Sequence, residues 1–315
     1  RYREENVVRL ATVSSGGENI CAAVLKDDRL LNLSKAAHHL TGPAAEALKA
    51  NSMLLLIAGS PETLDTARNL VDDAEAGLLD AAILPEGADL LAPIPVIRKN
   101  VLCVGRNYAE HITEGDRAQK QQVGVTEYPV FFTKPPTSIV GPGGDVLTFP
   151  NVSKQTDYEV ELAVIIGTPG RNIAKADAMK HVFGYTILND ISARDVQRRH
   201  GGQNFKGKAF DGSCPMGPWI VTADVIDDPH ALPISLTVNG EIRQNGNTAD
   251  MIFDIETLIA SLSEGMTLEP GDIIATGTPS GVGYAMDPPS FLKDGDTVVC
   301  NISGIGTLTN SVRAV

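Results

Sequence analysis

The residues most able to do chemistry begin at Asp157-Tyr158-Glu159-Val160-Glu161, where acids alternate with apolar or aromatic side chains and lead into the apolar run 162–166. Residues two apart share a face of a strand, so Asp157, Glu159 and Glu161 are expected to project together. Three such carboxylates repel one another. A solvated strand end would relieve the repulsion, and so would a hard cation such as Mg²⁺, Mn²⁺ or Ca²⁺; this segment alone leaves both open.

A second acidic group lies at Asn189-Asp190-Ile191-Ser192-Ala193-Arg194-Asp195-Val196-Gln197. Asp190 comes directly after the apolar 185–188 run, where it can either reach a metal as a third ligand or cap the next helix. On that helix Arg194 and Gln197 are three apart and share a face. Arg194 could alternatively pair on the surface with Asp195. A third group, Gly105-Arg106-Asn107-Tyr108-Ala109-Glu110-His111-Ile112-Thr113-Glu114, sets Glu114 one helical turn after His111. That spacing lets a carboxylate hold the imidazole as a general base for water, although an amphipathic helix start with an exposed His has the same sequence. Arg106 and Tyr108 of this group are further candidate substrate contacts. The polar stretch 115–125 reads as a loop able to close over a site.

Two glycine-containing segments complete the set. In 205–212 Lys208 could stabilise an oxyanion, or be merely solvated. In Ala275-Thr276-Gly277-Thr278-Pro279-Ser280-Gly281-Val282-Gly283 there is neither a P-loop ending nor a dinucleotide fingerprint. Ser280 is not in a G-x-S-x-G elbow. The segment reads as a tight loop offering backbone N–H groups and hydroxyls to a carboxylate.

The elements that must position these groups are mainly strands. Segments 101–104, 130–133, 159–166, 185–188, 219–222, 234–238, 272–275 and 297–302 are apolar, of strand length and bounded by Gly, Pro or Asp. Helical patterns cover only 175–182, 192–199 and 253–262 there. Strands and helices do not alternate regularly, which predicts an α+β domain of packed or rolled sheets. Before it, 7–13 and 20–25 flank Ser14-Ser15-Gly16-Gly17 as a hairpin, and 43–50 and 61–76 read as helices, the second capped by Ser60. The proline-rich 90–95 stretch suggests a boundary, giving a small domain at 1–95 and a chemistry-bearing domain at 96–315.

Composition narrows the partners. The 315 residues carry 26 Lys+Arg against 39 Asp+Glu, a formal net charge of -13, which disfavours nucleic acid and anionic membrane surfaces. No apolar run reaches the length of a membrane span. The acidic N-terminus lacks the basic head and apolar run of a signal peptide, so a cytoplasmic protein is expected. Cys21, Cys103, Cys214 and Cys300 form no CxxC pair and are expected to be reduced packing residues.

Taken in order, the segments at 105–114, 157–162, 189–195, 206–211 and 275–283 resemble the fumarylacetoacetate hydrolase family. The resemblance spans about 96–315, and the preceding segment is similar to the small extra domain of longer bacterial members. It implies a rolled β-sandwich catalytic domain, usually a homodimer, with Mg²⁺ or Mn²⁺ on Glu159, Glu161 and Asp190 and Asp157 in a supporting role. It implies His111 and Glu114 as a water-activating dyad, and Lys208, Arg194 and Gln197 as groups holding substrate oxygens. Thr278 would contact the substrate carboxylate. The implied substrates are small anionic 2-oxo or 2,4-dioxo acids. Where fumarylacetoacetate hydrolase itself has a further aspartate ahead of its base histidine, this chain has Val104-Gly105-Arg106-Asn107-Tyr108, implying a less anionic site and a different substrate. The expected activity is metal-dependent hydrolysis of a C–C bond in an acylpyruvate- or fumarylpyruvate-type acid. The rivals are 2-oxo-diacid decarboxylation, enol–keto isomerisation, ureido-acid lysis, or non-catalytic binding of a metal or ligand.

Overall fold

The N-terminal hairpin forms from Arg9–Ser15 and Glu18–Val24. Its two turn residues, Gly16 and Gly17, both take positive φ, 61° and 84°, the conformation whose twist matches a two-residue hairpin. In this computed structural model the described residues are 8–59, 61–201 and 203–315. Val7 and the expected cap Ser60 lie outside them. The two expected helices occupy Pro43–Lys49 and Pro61–Glu75. The second buries Ala67, Leu70, Val71 and Ala74, the three-to-four spacing of one helix face.

The hairpin is continuous with the main sheet. Arg9–Ser15 pairs antiparallel with Cys214–Thr222, and the sheet continues through Val182–Asn189, Val160–Ile166, Ile273–Ala275, Val101–Gly105 and Val130–Lys134. Leu10 and Leu31 share one apolar core with Leu188, Ile220 and Ile273. A second sheet runs in the order Glu241–Asn247, Pro233–Val238, Thr297–Ile302, Gly306–Ala314 and Asp145–Thr148. The chain is therefore α+β and mostly sheet.

The Val160–Ile166 strand lies between the two cores. Val160, Leu162, Val164 and Ile166 face the core shared with Leu236, Val298 and Leu308, whereas Ala163 and Ile165 face the other. A strand apolar on both faces must be central, and this is why its acidic N-terminal end is drawn into the interior.

Several element ends differ from the pattern in the sequence. The segment at 192–199 becomes helical only from Arg194, because Ser192–Ala193 pairs with Thr156–Asp157. The 175–182 segment forms a 3₁₀ helix, Lys175–His181. The predicted loop at 115–125 is helical as far as Gln119 and turns out at Lys120, which takes a left-handed conformation. The four cysteines are buried and unpaired; burial pushes the thiols of Cys21 and Cys214 up to about 12, which keeps them unreactive.

Candidate active site

Glu159, Glu161 and Asp190 converge. Each offers an oxygen within 4.8 Å of those of the other two, and all three side chains are buried. The pairing of Val160 with Asn189 brings Asp190 beside Glu159, where the Asp190 N–H donates to the Glu159 carbonyl at 2.8 Å. The third member is thus Asp190 and not Asp157. The strand proper begins at Val160, and Asp157 accepts instead from the N–H groups of Gly283 at 2.8 Å and Tyr284 at 3.0 Å and from Arg194 Nε at 2.9 Å.

Three cations surround the cluster. Lys208 Nζ lies 2.7 Å from both Glu159 and Asp190, and Arg194 Nη2 lies 2.6 Å from Glu159. Lys134 Nζ lies 2.8 Å from Asp190. Burial alone would raise the Glu159 pKa, but Lys208, Arg194 and His111 carry it well below the usual carboxylate range. For Lys208 burial acts downward, yet Asp190 and Glu159 hold the ammonium firmly protonated. Glu161 differs. Its oxygen accepts the Gly277 N–H at 2.8 Å, and among the described residues no cationic side chain stands within ion-pair distance of it. Burial, Asp190 and Glu159 together push its pKa well above the usual range. A buried carboxylate without a counter-charge, beside two others, is the donor set that a hard divalent cation satisfies. Glu159, Glu161 and Asp190 would hold such an ion.

The dyad sits at the same cavity. His111 Nδ1 is 2.9 Å from Glu114 Oε1. The other Glu114 oxygen accepts the Gly281 N–H at 2.9 Å, so Glu114 is an acceptor, Nδ1 carries the hydrogen and Nε2 is the free basic nitrogen. The glycine-rich loop therefore offers its N–H groups to carboxylates, as expected, but to the protein's own: Gly277 to Glu161, Gly281 to Glu114 and Gly283 to Asp157. Side chains are excluded there. A Cβ on Gly281, whose φ is +107°, would stand 2.0 Å from the Arg243 carbonyl, and one on Gly283 would stand 1.9 Å from that of Ser290.

A cavity of about 330 Å³ is lined by His111, Glu159, Glu161, Arg194 and Lys208, with Arg106, Gln197 and Thr278 among its other residues. Asp190 lies behind this lining. Tyr108, expected as a substrate contact, is buried away from the cavity, with its hydroxyl unpartnered. Thr278 donates its hydroxyl hydrogen to the Val160 carbonyl at 2.8 Å and accepts from Gln244 at 2.8 Å, so toward a substrate this hydroxyl can only accept. Gln197 donates to Asn204 Oδ1 at 2.6 Å. Asp195, the alternative partner of Arg194, accepts instead from Ser153 at 2.6 Å. The expected closing segment does reach the site, since Gln119, Gln121 and Val123 line the cavity.

Lys134 is a site residue that the sequence pattern did not single out. It ends an apolar strand at Phe132-Thr133-Lys134, its side chain is 0% exposed, and its ammonium donates to Asp190, to the Ile191 carbonyl at 3.0 Å and to the Lys208 carbonyl at 2.5 Å. A lone lysine closing an apolar strand and succeeded by Pro135-Pro136 is the available signal.

The family model for the fumarylacetoacetate (FAA) hydrolase C-terminal domain matches residues 100–313. Oxaloacetate tautomerase YisK of Bacillus subtilis is 44% identical over 92% of this chain and 94% of its own. Among solved structures, the fumarylacetoacetate hydrolase of Exiguobacterium antarcticum is 38% identical, with a TM-score of 0.78 over 98% of this chain and all of that one. A maleylpyruvate hydrolase from Sphingobium sp. SYK-6, in complex with manganese(II) and pyruvate, is 31% identical, with a TM-score of 0.73 over 97% of this chain and 99% of that one. With these matches spanning both the sheet and the carboxylate cluster, the chain belongs to the fumarylacetoacetate hydrolase family.

Proposed function

We propose that this protein is a divalent-metal-dependent enol–keto tautomerase of a small 2-oxo diacid, with oxaloacetate as the substrate and Mg²⁺ or Mn²⁺ as the ion. The observation that carries the reading is a buried three-carboxylate cluster opening, through Glu159 and Glu161, on a cavity that also holds a carboxylate-fixed imidazole and several cations. Similarity to a protein named oxaloacetate tautomerase supports it, and similarity to a manganese complex supports the ion. Homodimerisation and a cytoplasmic location accompany this reading as expectations. Among the described residues no helix is long and apolar enough to cross a membrane.

A divalent ion on the three carboxylates would draw electron density from a substrate's 2-oxygen and so acidify its C3 hydrogens. The protein's residues perform the rest. His111 Nε2 takes or returns the C3 proton while solvent water returns or takes the proton of the 2-oxygen, with Glu114 fixing the ring through Nδ1 and stabilising it when charged. Lys208 spends two of its three N–H donors on Glu159 and Asp190 and keeps one for a substrate oxygen on which charge accumulates. Phe132 and Val104 add apolar lining, the Phe132 ring centroid 5.0 Å from Lys208 Nζ, which strengthens these electrostatic interactions.

A second reading is hydrolysis of an acylpyruvate or fumarylpyruvate. The His111–Glu114 dyad favours it, since the same nitrogen could deprotonate a water, and a maleylpyruvate hydrolase is among the similar structures. Product identification separates the two. Metal-replete protein given enol-oxaloacetate and fumarylpyruvate should return keto-oxaloacetate from the first and leave the second intact. Pyruvate and fumarate from the second would establish hydrolysis instead.

A further inference from the structure

We infer that Arg106 is the specificity-determining residue for the substrate's second carboxylate. The inference rests on the metal-bound 2-oxo-acid reading above and deepens it by assigning the far end of the ligand.

Unused donors away from the carboxylate cluster single this residue out. Among the described residues, four Arg or Lys side chains line the cavity: Arg106, Arg194, Arg198 and Lys208. Arg194 is ion-paired with Asp157 and Glu159 at the carboxylate cluster, although its Nη2 makes no aligned hydrogen bond, and Lys208 is held there by Glu159 and Asp190 with one N–H left over. Arg198 is exposed and bonded to Gln155. Of these four, Arg106 combines partial burial with unused donors. Its hydrogen bonds run from Nη2, to Asp116 Oδ1 at 2.9 Å and to the Gly124 carbonyl at 3.0 Å, while its Nε is buried and bonded to nothing. With Nη2 engaged twice and Nε enclosed, Nη1 is the nitrogen left to meet a ligand, and a carboxylate is the acceptor that best matches a charged N–H donor.

The backbone points the same way. Arg106 has φ = +59°, a left-handed conformation that a long side chain seldom adopts and that tends to be kept at functional sites. Its anchorage is also specific. Asp116 receives Arg106 through one oxygen and the N–H groups of Val123 and Gly124 through the other, so the same pair fixes the segment bearing Gln121 and Val123 on the cavity wall. A carboxylate on Arg106 would lie under that segment, away from the ion pairs that surround the three-carboxylate cluster. Monocarboxylic 2-oxo acids would leave the Arg106 donors empty.

The test uses unreactive ligands that share the metal-binding end, so that it does not depend on turnover. Malate and lactate both present a 2-hydroxy carboxylate, and only malate carries the second carboxyl group. Calorimetric titration of the Mn²⁺-loaded protein should show malate binding about 10- to 100-fold more tightly than lactate, the worth of a charged hydrogen-bonded contact. Arg106→Asn, a residue type that tolerates the left-handed backbone, should abolish that preference while lactate affinity stays within a factor of about 2. Arg106→Lys, which keeps charge but loses the planar donor set that grips Asp116 and Gly124, should retain an intermediate preference and guards against a misfolded Asn variant. A preference undiminished in Arg106→Asn, equal weakening of both ligands in a variant with unchanged melting temperature, or no preference in the wild type would overturn the assignment. A wild type inactive on oxaloacetate whose malate preference nonetheless depends on Arg106 would uphold this inference and defeat the tautomerase reading.

Discussion

Metal binding by this protein should be coupled to the release of one proton, and Glu161 is its source. Burial, Asp190 and Glu159 push its pKa well above the usual carboxylate range, opposed by Lys208 and the Gly277 N–H. In the metal-free protein the group is therefore a neutral acid across a span of pH where an ordinary glutamate is ionised. Linkage sets the sign. A carboxyl group with a raised folded-state pKa stabilises the fold relative to an ionised one below the unfolded pKa and loses that contribution as pH rises through the folded pKa. A divalent ion needs the carboxylate and must displace the proton, so its apparent affinity should rise about tenfold per pH unit, or about 1.4 kcal/mol, until Glu161 ionises without help. The assay is isothermal titration with Mn²⁺ in two buffers of different ionisation enthalpy, at several values between about pH 5.5 and 7.5. Close to one proton should leave per ion at the acid end. Glu161→Gln should flatten the slope, whereas His111→Gln should keep it, which separates Glu161 from the nearby imidazole. A wild-type affinity independent of pH, or a Glu161→Gln variant releasing the same proton, would show that Glu161 is not the proton's source.

Other consequences can be measured separately. Lys134→Met removes one of the two buried cations on Asp190, leaving Lys208, and strips two buried carbonyls of their donor; it should destabilise the metal-free protein by about 1–3 kcal/mol in a denaturant titration, the cost of leaving buried acceptors unsatisfied. His111→Ala should lower turnover by about 10²–10⁴-fold, the usual worth of a general base, with Mn²⁺ affinity largely retained. Gly283→Ala puts a Cβ 1.9 Å from the Ser290 carbonyl and 2.7 Å from Asp157. It should cost about 1–3 kcal/mol by overpacking and raise the KM of whatever substrate Arg194 helps to hold, because Asp157 anchors that arginine.

Parts of this site are legible in the sequence because they depend on local spacing. His111 and Glu114 are one helical turn apart and Glu159 and Glu161 are two residues apart, and in the structure each pair converges, although the regular strand begins only at Val160. The same rule misassigned Asp157, because alternation holds only while the strand is regular. Here 157 belongs to a short bridge with Ser192, and its carboxylate turns to Arg194 and the 283–284 amides. Lys134 stands out in the sequence only as a lone lysine before two prolines, and, for a related reason, its role is not legible. Its role comes from strand order, which sets the end of Val130–Lys134 beside the 190–208 region across long sequence separations. The glycine loop was recognisable as an N–H donor, yet nothing local told that its acceptors would be Glu161, Glu114 and Asp157. The apolar character of Val160–Ile166 was plain from composition, but its burial on both faces comes only from two sheets meeting across it.

In the proposed reaction the carboxylate cluster and His111 together interconvert the enol and keto forms of oxaloacetate. The most direct measurement tracks the ultraviolet absorbance of the enol after it is dissolved in an aprotic solvent and diluted into buffer with protein, first stripped of metal and then with Mn²⁺ restored. Loss of the enol band should be faster than the uncatalysed rate only with metal present, with keto-oxaloacetate as the sole product and the acceleration absent in Glu159→Gln. An unaccelerated decay with metal bound, or pyruvate formed as fast as the enol disappears, would contradict the account.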